Sequence, residues 1–103
     1  MGLFNLFRKK DMANDIQEYL RNGAMILDVR TVEEWNEGHS NGAQLITLST
    51  IAARVDEIKA WNKPVIAVCR SGARSGQATD YLKGQGIDII NGGPWATVDQ
   101  YLK

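Results

Sequence analysis

The residue types best suited to chemistry stand together in one short stretch, Cys69-Arg-Ser-Gly-Ala-Arg-Ser75. A cysteine is a nucleophile only as its thiolate, and the surroundings of Cys69 favour that form. The apolar run Val65-Ile-Ala-Val68 leads into it and a helical pattern follows it, so the stretch spans a strand-to-helix junction. In open α/β folds ligands bind outside the carboxyl ends of the strands, where this junction lies. Backbone N–H groups at a helix start lack partners, and the helix dipole adds partial positive charge, so an anion is the natural occupant. Arg70 and Arg74 reinforce that charge, while Gly72 lets the main chain curl. A thiol held there is predicted to ionise below the usual cysteine range. A solitary cysteine at a strand end is otherwise a small buried hydrophobe, and two arginines are otherwise a solvated surface. The Arg-x-Gly-x-Arg-Ser pattern at such a junction argues against both.

The remaining sequence supplies elements to hold this loop. Met12, Ile16, Tyr19 and Leu20 recur at helical spacing, with Asp11 as a cap and Asn22-Gly23 as the stop. Met25–Val29 is a short, nearly unbroken apolar run, as expected for a strand buried on both faces. Thr31 followed by Glu34 forms a capping box for a short helix that Gly38 ends. Leu45–Leu48 reads as a second strand. Ser49 or Thr50 then caps a helix with Ile51, Val55 and Ile58 on one face. Pro64 precedes the third strand. The helix after the loop turns Ala78, Tyr81 and Leu82 inward and breaks at Gly84 and Gly86. Ile87–Ile90 is the last strand, Gly92-Gly93 turns the chain, and Pro94 opens a closing helix with Trp95, Val98 and Leu102 on one face. Strands alternating with helices predict an α/β fold of three layers, a parallel sheet of four to five short strands with helices on both faces.

Composition narrows the function classes. The chain has 103 residues, 44% hydrophobic and 23% charged, with 12 basic and 12 acidic side chains. A chain of this size buries about two-thirds of its unfolded surface, enough for one core without metal or disulfide. The balanced charge gives no support to a nucleic-acid binder. One cysteine and one histidine exclude an internal disulfide and a Cys- or His-rich metal site, so no metal is expected. No run approaches the roughly 20 apolar residues of a membrane span. In residues 1–10, Leu3, Phe4, Leu6 and Phe7 precede Arg8, Lys9 and Lys10, the reverse of a secretory signal. They read as a flexible leader, with a weak membrane-surface anchor as the alternative. An unpaired cysteine without an export signal suggests a cytoplasmic location.

Residues 11–103 resemble a single-domain rhodanese. The resemblance rests on the Cys69–Ser75 loop, on Asp28-Val-Arg30 followed by Glu33-Glu34-Trp35, on Gly38-His39 with Gly42-Ala43, and on Asn91-Gly-Gly93 ahead of Trp95. Ser40-Asn41 stands where many relatives carry Ile-Pro. Phosphatases with a similar loop place five residues between cysteine and arginine, making a ring wide enough for phosphate. Four residues separate Cys69 from Arg74, and this tighter ring resembles the sulfur-transferring branch.

The resemblance implies a thiosulfate sulfurtransferase that works through a Cys69 persulfide, with no bound cofactor. Cys69 is the expected catalytic residue. Arg70, Ser71, Gly72, Ala73, Arg74 and Ser75 are the expected substrate-binding residues. The expected partners are a small anionic sulfur donor and a thiol acceptor, with a sulfur-relay protein as a further candidate. Two other readings stand beside it: a persulfide carrier or docking module with little thiosulfate activity of its own, and an arsenate or phosphate-ester enzyme using the same thiolate. Asp28 and Arg30 read as a structural ion pair, and His39 as a structural hydrogen-bonding residue. Trp35, Trp61 and Trp95 read as packing residues.

Overall fold

A computed structural model describes residues 12–103. The expected leader, its membrane-surface alternative and the Asp11 cap lie outside the described residues. Helix α1 (Met12–Arg21) leads into strand β1 (Met25–Asp28), and helix α2 (Val32–Glu37) follows. Strand β2 (Gln44–Leu45) precedes a 3-10 segment (Leu48–Arg54) that continues as helix α3 (Val55–Ala60). Strand β3 (Val65–Cys69), helix α4 (Ala73–Gly84), strand β4 (Ile89–Pro94), helix α5 (Trp95–Asp99) and a 3-10 turn (Gln100–Leu102) complete the chain. The strands form one four-stranded sheet in the order β2-β1-β3-β4, parallel throughout.

The central strand shows why the sheet is covered on both sides. Every residue of β3 is buried, and its side chains alternate between two cores, as the strand period of two dictates. Val65, Ala67 and Cys69 join one core with Leu27, Val29, Ile51, Ile58, Ala78 and Leu82, under α3 and α4. Ile66 and Val68 join the other with Ile26, Ile16 and Val98, under α1 and α5. Burial of such side chains contributes about 1.5–3 kcal/mol each. The core therefore holds β3 rigidly, and Cys69 with it, at the carboxyl edge of the sheet.

Several local expectations are corrected. The second strand is two residues long and begins at Gln44, because Ile46 and Leu48 turn inward to the core. The following helix starts as a 3-10 segment without a side-chain cap, while the Thr50 hydroxyl donates to the Thr47 carbonyl. Tyr81 is exposed, and Thr79 is buried in its place on α4. Leu102 is likewise exposed, and Tyr101 packs on the core instead.

The largest correction concerns Gly92 and Gly93. They do not turn the chain but belong to β4, which begins at Ile89 and shifts register opposite Ala67 and Val68. Packing explains the run of small residues. A Cβ on Gly92 would lie 2.6 Å from Ile66 Cγ2 and 2.8 Å from Val98 Cγ2, so α5 closes over the sheet only across a bare backbone. The irregularity also carries Asn91 and Pro94 alongside the end of β3, next to the cysteine loop.

Candidate active site

Cys69 ends β3 and is fully buried. The chain then curls back over its sulfur. The Gly72 N–H donates to Sγ at 3.0 Å and the Ser75 N–H at 3.4 Å. Gly72 makes this possible, because its φ of 102° lies in the left-handed region open to glycine. That conformation aims its N–H inward while its carbonyl accepts the Gly76 N–H of α4 at 2.9 Å. The Ser75 side chain also meets the sulfur, with Oγ 3.3 Å from Sγ.

These contacts decide the charge of the sulfur. Burial, the largest single influence, pushes the thiol up; hydrogen bonds from the Ser75 side chain and from the N–H groups of Ser75, Gly72 and Ser71 together outweigh it. The Cys69 thiol is therefore held below its ordinary range. The Ser75 side chain is the largest of these stabilising influences, and the three backbone N–H groups, fixed by the loop, remain in place for any negative sulfur in the ring.

The arginines are placed differently from the simplest reading of the sequence. Arg74 does not reach into the ring; its Nη1 and Nη2 donate to the two carboxylate oxygens of Glu34, at 2.7 and 2.9 Å. Arg70 approaches the same carboxylate from outside, Nε to Oε2 at 3.3 Å, with Glu37 at 3.7 Å. The Arg70 side chain is 67% exposed and that of Arg74 33%. Glu34 also accepts from the Thr31 N–H and hydroxyl, completing the capping box that starts α2. The Arg74 hydrogen bonds, followed by the Thr31 N–H, hold the Glu34 carboxyl well below the carboxylate range against the opposing effect of burial. Ser71 and Ala73 are exposed on the rim.

A second layer positions α2. Asp28 and Arg30 are both buried and pair through two guanidinium nitrogens, with Arg30 Nη2 at 2.8 Å. Arg30 also donates to the carbonyls of Glu34 and Gly38 at 3.2 and 2.8 Å, and its guanidinium lies 5.0 Å from the centre of the Trp95 ring. The structural ion pair read in the sequence is thus a brace running from the sheet to the middle and the C-terminal end of α2. His39 stacks on Trp35 at 3.5 Å and bonds the Trp35 carbonyl through Nδ1, a local structural role.

Two residues went unassigned in the sequence. Glu34 was visible there as a helix cap and as part of the Glu33-Glu34-Trp35 motif, and its reach to Arg74 crosses 40 positions. Asn91 gave no signal of its own beyond the Asn91-Gly-Gly93 motif. Its Oδ1 accepts from the Ser75 hydroxyl at 2.6 Å and from the Gly93 N–H at 3.0 Å, and its Nδ2 donates to the Gly72 carbonyl at 3.0 Å.

Comparison with known proteins agrees with this fold. The family model described as Rhodanese-like domain matches residues 12–94. The chain is 34% identical over 88 residues to the uncharacterized protein YqhL of Bacillus subtilis, across 82% of this chain and 69% of that protein. It is 28% identical over 84 residues to the thiosulfate sulfurtransferase GlpE of Pseudoalteromonas translucida, across 82% and 79% of the two chains. A solved rhodanese with anions from E. coli superposes with a TM-score of 0.66 at 28% identity, over 73% of this chain and 91% of that one.

Proposed function

The chain belongs to the rhodanese-like domain family, and from that premise we propose that it is a sulfurtransferase carrying sulfane sulfur on Cys69. The observation that carries this reading is the ring of N–H groups converging on a buried sulfur, with Gly72 N–H at 3.0 Å. In the first half-reaction the Cys69 thiolate attacks the outer sulfur of thiosulfate. A new S–S bond forms at Sγ, the old one breaks, and its electron pair leaves on sulfite. The Cys69 persulfide that results carries its charge on the terminal sulfur, and the N–H groups of residues 71–75 stabilise it. In the second half-reaction a nucleophile takes that terminal sulfur, and the bonding pair returns to Sγ. Cyanide serves as acceptor in an assay; a thiol or the thiol of a sulfur-relay protein serves in the cell, in a reducing cytoplasm. Both steps shift electron pairs between sulfur atoms and call for no metal or organic cofactor.

Arg70 is the guanidinium available to an anionic donor, because it is exposed and held by longer contacts than Arg74. Arg74 acts through Glu34 to fix the loop against α2. The similarity to the thiosulfate sulfurtransferase GlpE supports thiosulfate as the donor. Turnover with thiosulfate and cyanide, run beside hydrolysis of an aryl phosphate, tests the reading. Thiocyanate formation that disappears in Cys69→Ala supports it. Phosphate release without thiocyanate would assign the same thiolate to ester hydrolysis instead.

A further inference from the structure

The Asn91 amide is oriented by two backbone groups of fixed polarity. The Gly93 N–H, which can only donate, meets Oδ1, and the Gly72 carbonyl, which can only accept, meets Nδ2. Oδ1 is therefore the atom 2.6 Å from Ser75 Oγ, and since it carries no hydrogen the Ser75 hydroxyl must donate to it. A serine hydroxyl has one proton. With that proton on Asn91, Ser75 Oγ faces Sγ at 3.3 Å as an acceptor for the Cys69 S–H. A thiolate has no hydrogen to give and needs the same serine proton. Space for the amide comes from Gly76 in the first turn of α4, where a Cβ would lie 3.2 Å from Asn91 Nδ2.

We propose that Asn91 is a positioning residue that competes with the Cys69 sulfur for the Ser75 hydroxyl proton and so directs that proton through the catalytic cycle. The inference rests on the persulfide reading above. When the thiol loses its proton to solvent, the Ser75 hydroxyl turns from Asn91 to the thiolate, and Oδ1 keeps the Gly93 N–H. In the persulfide Sγ is a neutral divalent sulfur, so the hydroxyl returns to Asn91. When the acceptor's electron pair bonds the terminal sulfur, the S–S pair falls on Sγ and the hydroxyl turns back to it. The competition also keeps the thiolate from being stabilised so far that its nucleophilicity falls. The charged groups surrounding the thiol are Arg70 and Arg74 from its own loop and helix, Glu34 and Glu37 from α2, and the Asp28–Arg30 pair beyond β1. Strand β4 contributes no titratable side chain.

Alkylation of Cys69 by iodoacetamide, followed against pH on the folded chain, reports thiol ionisation without requiring sulfur transfer. Ser75→Ala removes a donor and raises the midpoint. Asn91→Ala removes the competitor and lowers the midpoint by about half a pH unit, or threefold more thiolate on the acid side. Gly76→Ala, which crowds the amide while favouring the helix, shifts it the same way. In a Ser75→Ala background, Asn91→Ala leaves the midpoint where it was. A residue that merely held the loop in shape would raise the midpoint when removed, in both backgrounds; that result, or no shift, overturns the proposal. If Asn91→Ala does not fold, the direction of the Gly76→Ala shift decides. A wild-type chain that takes up no sulfur from thiosulfate contradicts the function reading alone, because the alkylation comparison stands apart from it.

Discussion

The Glu34 carboxylate grips the Arg74 guanidinium through two hydrogen bonds, of 2.7 and 2.9 Å. This pair joins the two sides of the site, since Glu34 belongs to α2 and Arg74 lies in the first turn of α4, within the sulfur-binding ring. Its geometry is the bidentate fork that makes arginine–carboxylate pairs directional. The loop is thereby held from outside, leaving its N–H groups free to face the sulfur.

Stability should follow the charge of Glu34. A carboxyl whose folded-state pKa is depressed contributes stability that is complete above its unfolded value, about 4.3, and is lost as pH falls through the folded value. Glu34→Gln is expected to lower the melting temperature at pH 7 and to approach wild type as pH drops below about 4. Thermal melts from neutral pH to pH 3 check this. A gap that stays constant over the range would show that charge is not what Glu34 contributes.

Arg70 and Arg74 should separate in their effects. Arg70→Ala is expected to raise the KM for thiosulfate severalfold, with a smaller effect on an uncharged sulfur donor and little change in melting temperature, given its exposed side chain. Arg74→Ala is expected to lower the melting temperature, because it leaves Glu34 without its bidentate partner. Steady-state kinetics on both donors, paired with melts, give the answer; equal losses on the two donors would remove Arg70 from anion binding.

The Asp28–Arg30 brace should be costly to break from one side. Arg30→Met leaves the buried Asp28 carboxylate unpaired, a change of about 3–5 kcal/mol. Adding Asp28→Asn should restore part of the loss. Denaturant unfolding measures both, and a single-variant loss under about 1 kcal/mol would mean that the carboxylate finds another partner.

Gly92→Ala tests the close passage of α5 over β4. Its methyl would meet Ile66 and Val98 within 2.8 Å, and overpacking of this kind costs about 1–3 kcal/mol. An unchanged denaturation midpoint would show that α5 moves aside freely.

Much of this architecture was legible in the residues. The apolar runs of β1 and β3, the Thr31–Glu34 capping box and the sulfur loop all carry local signals, because each depends on neighbours a few positions away. The course of β4 was not legible. Gly92-Gly93 ordinarily reads as a turn, and only the side chains of Ile66 and Val98, remote in sequence, make bare backbone necessary inside a strand. Tyr81 fits the inward face of α4 by spacing, yet the neighbouring surface leaves it open to solvent. At the site, cysteine, glycine and serine announced the ring. The partners of Arg74 and Ser75 lie 40 and 16 positions away, and a single sequence carries no signal for pairings at that range.

Intact-mass measurement of the purified chain, before and after thiosulfate and again after cyanide, tests the central claim most directly. Wild type should gain the mass of one sulfur atom with thiosulfate and lose it to cyanide, while Cys69→Ala should gain nothing. No added sulfur on wild type, or the same addition to Cys69→Ala, would contradict a persulfide at Cys69.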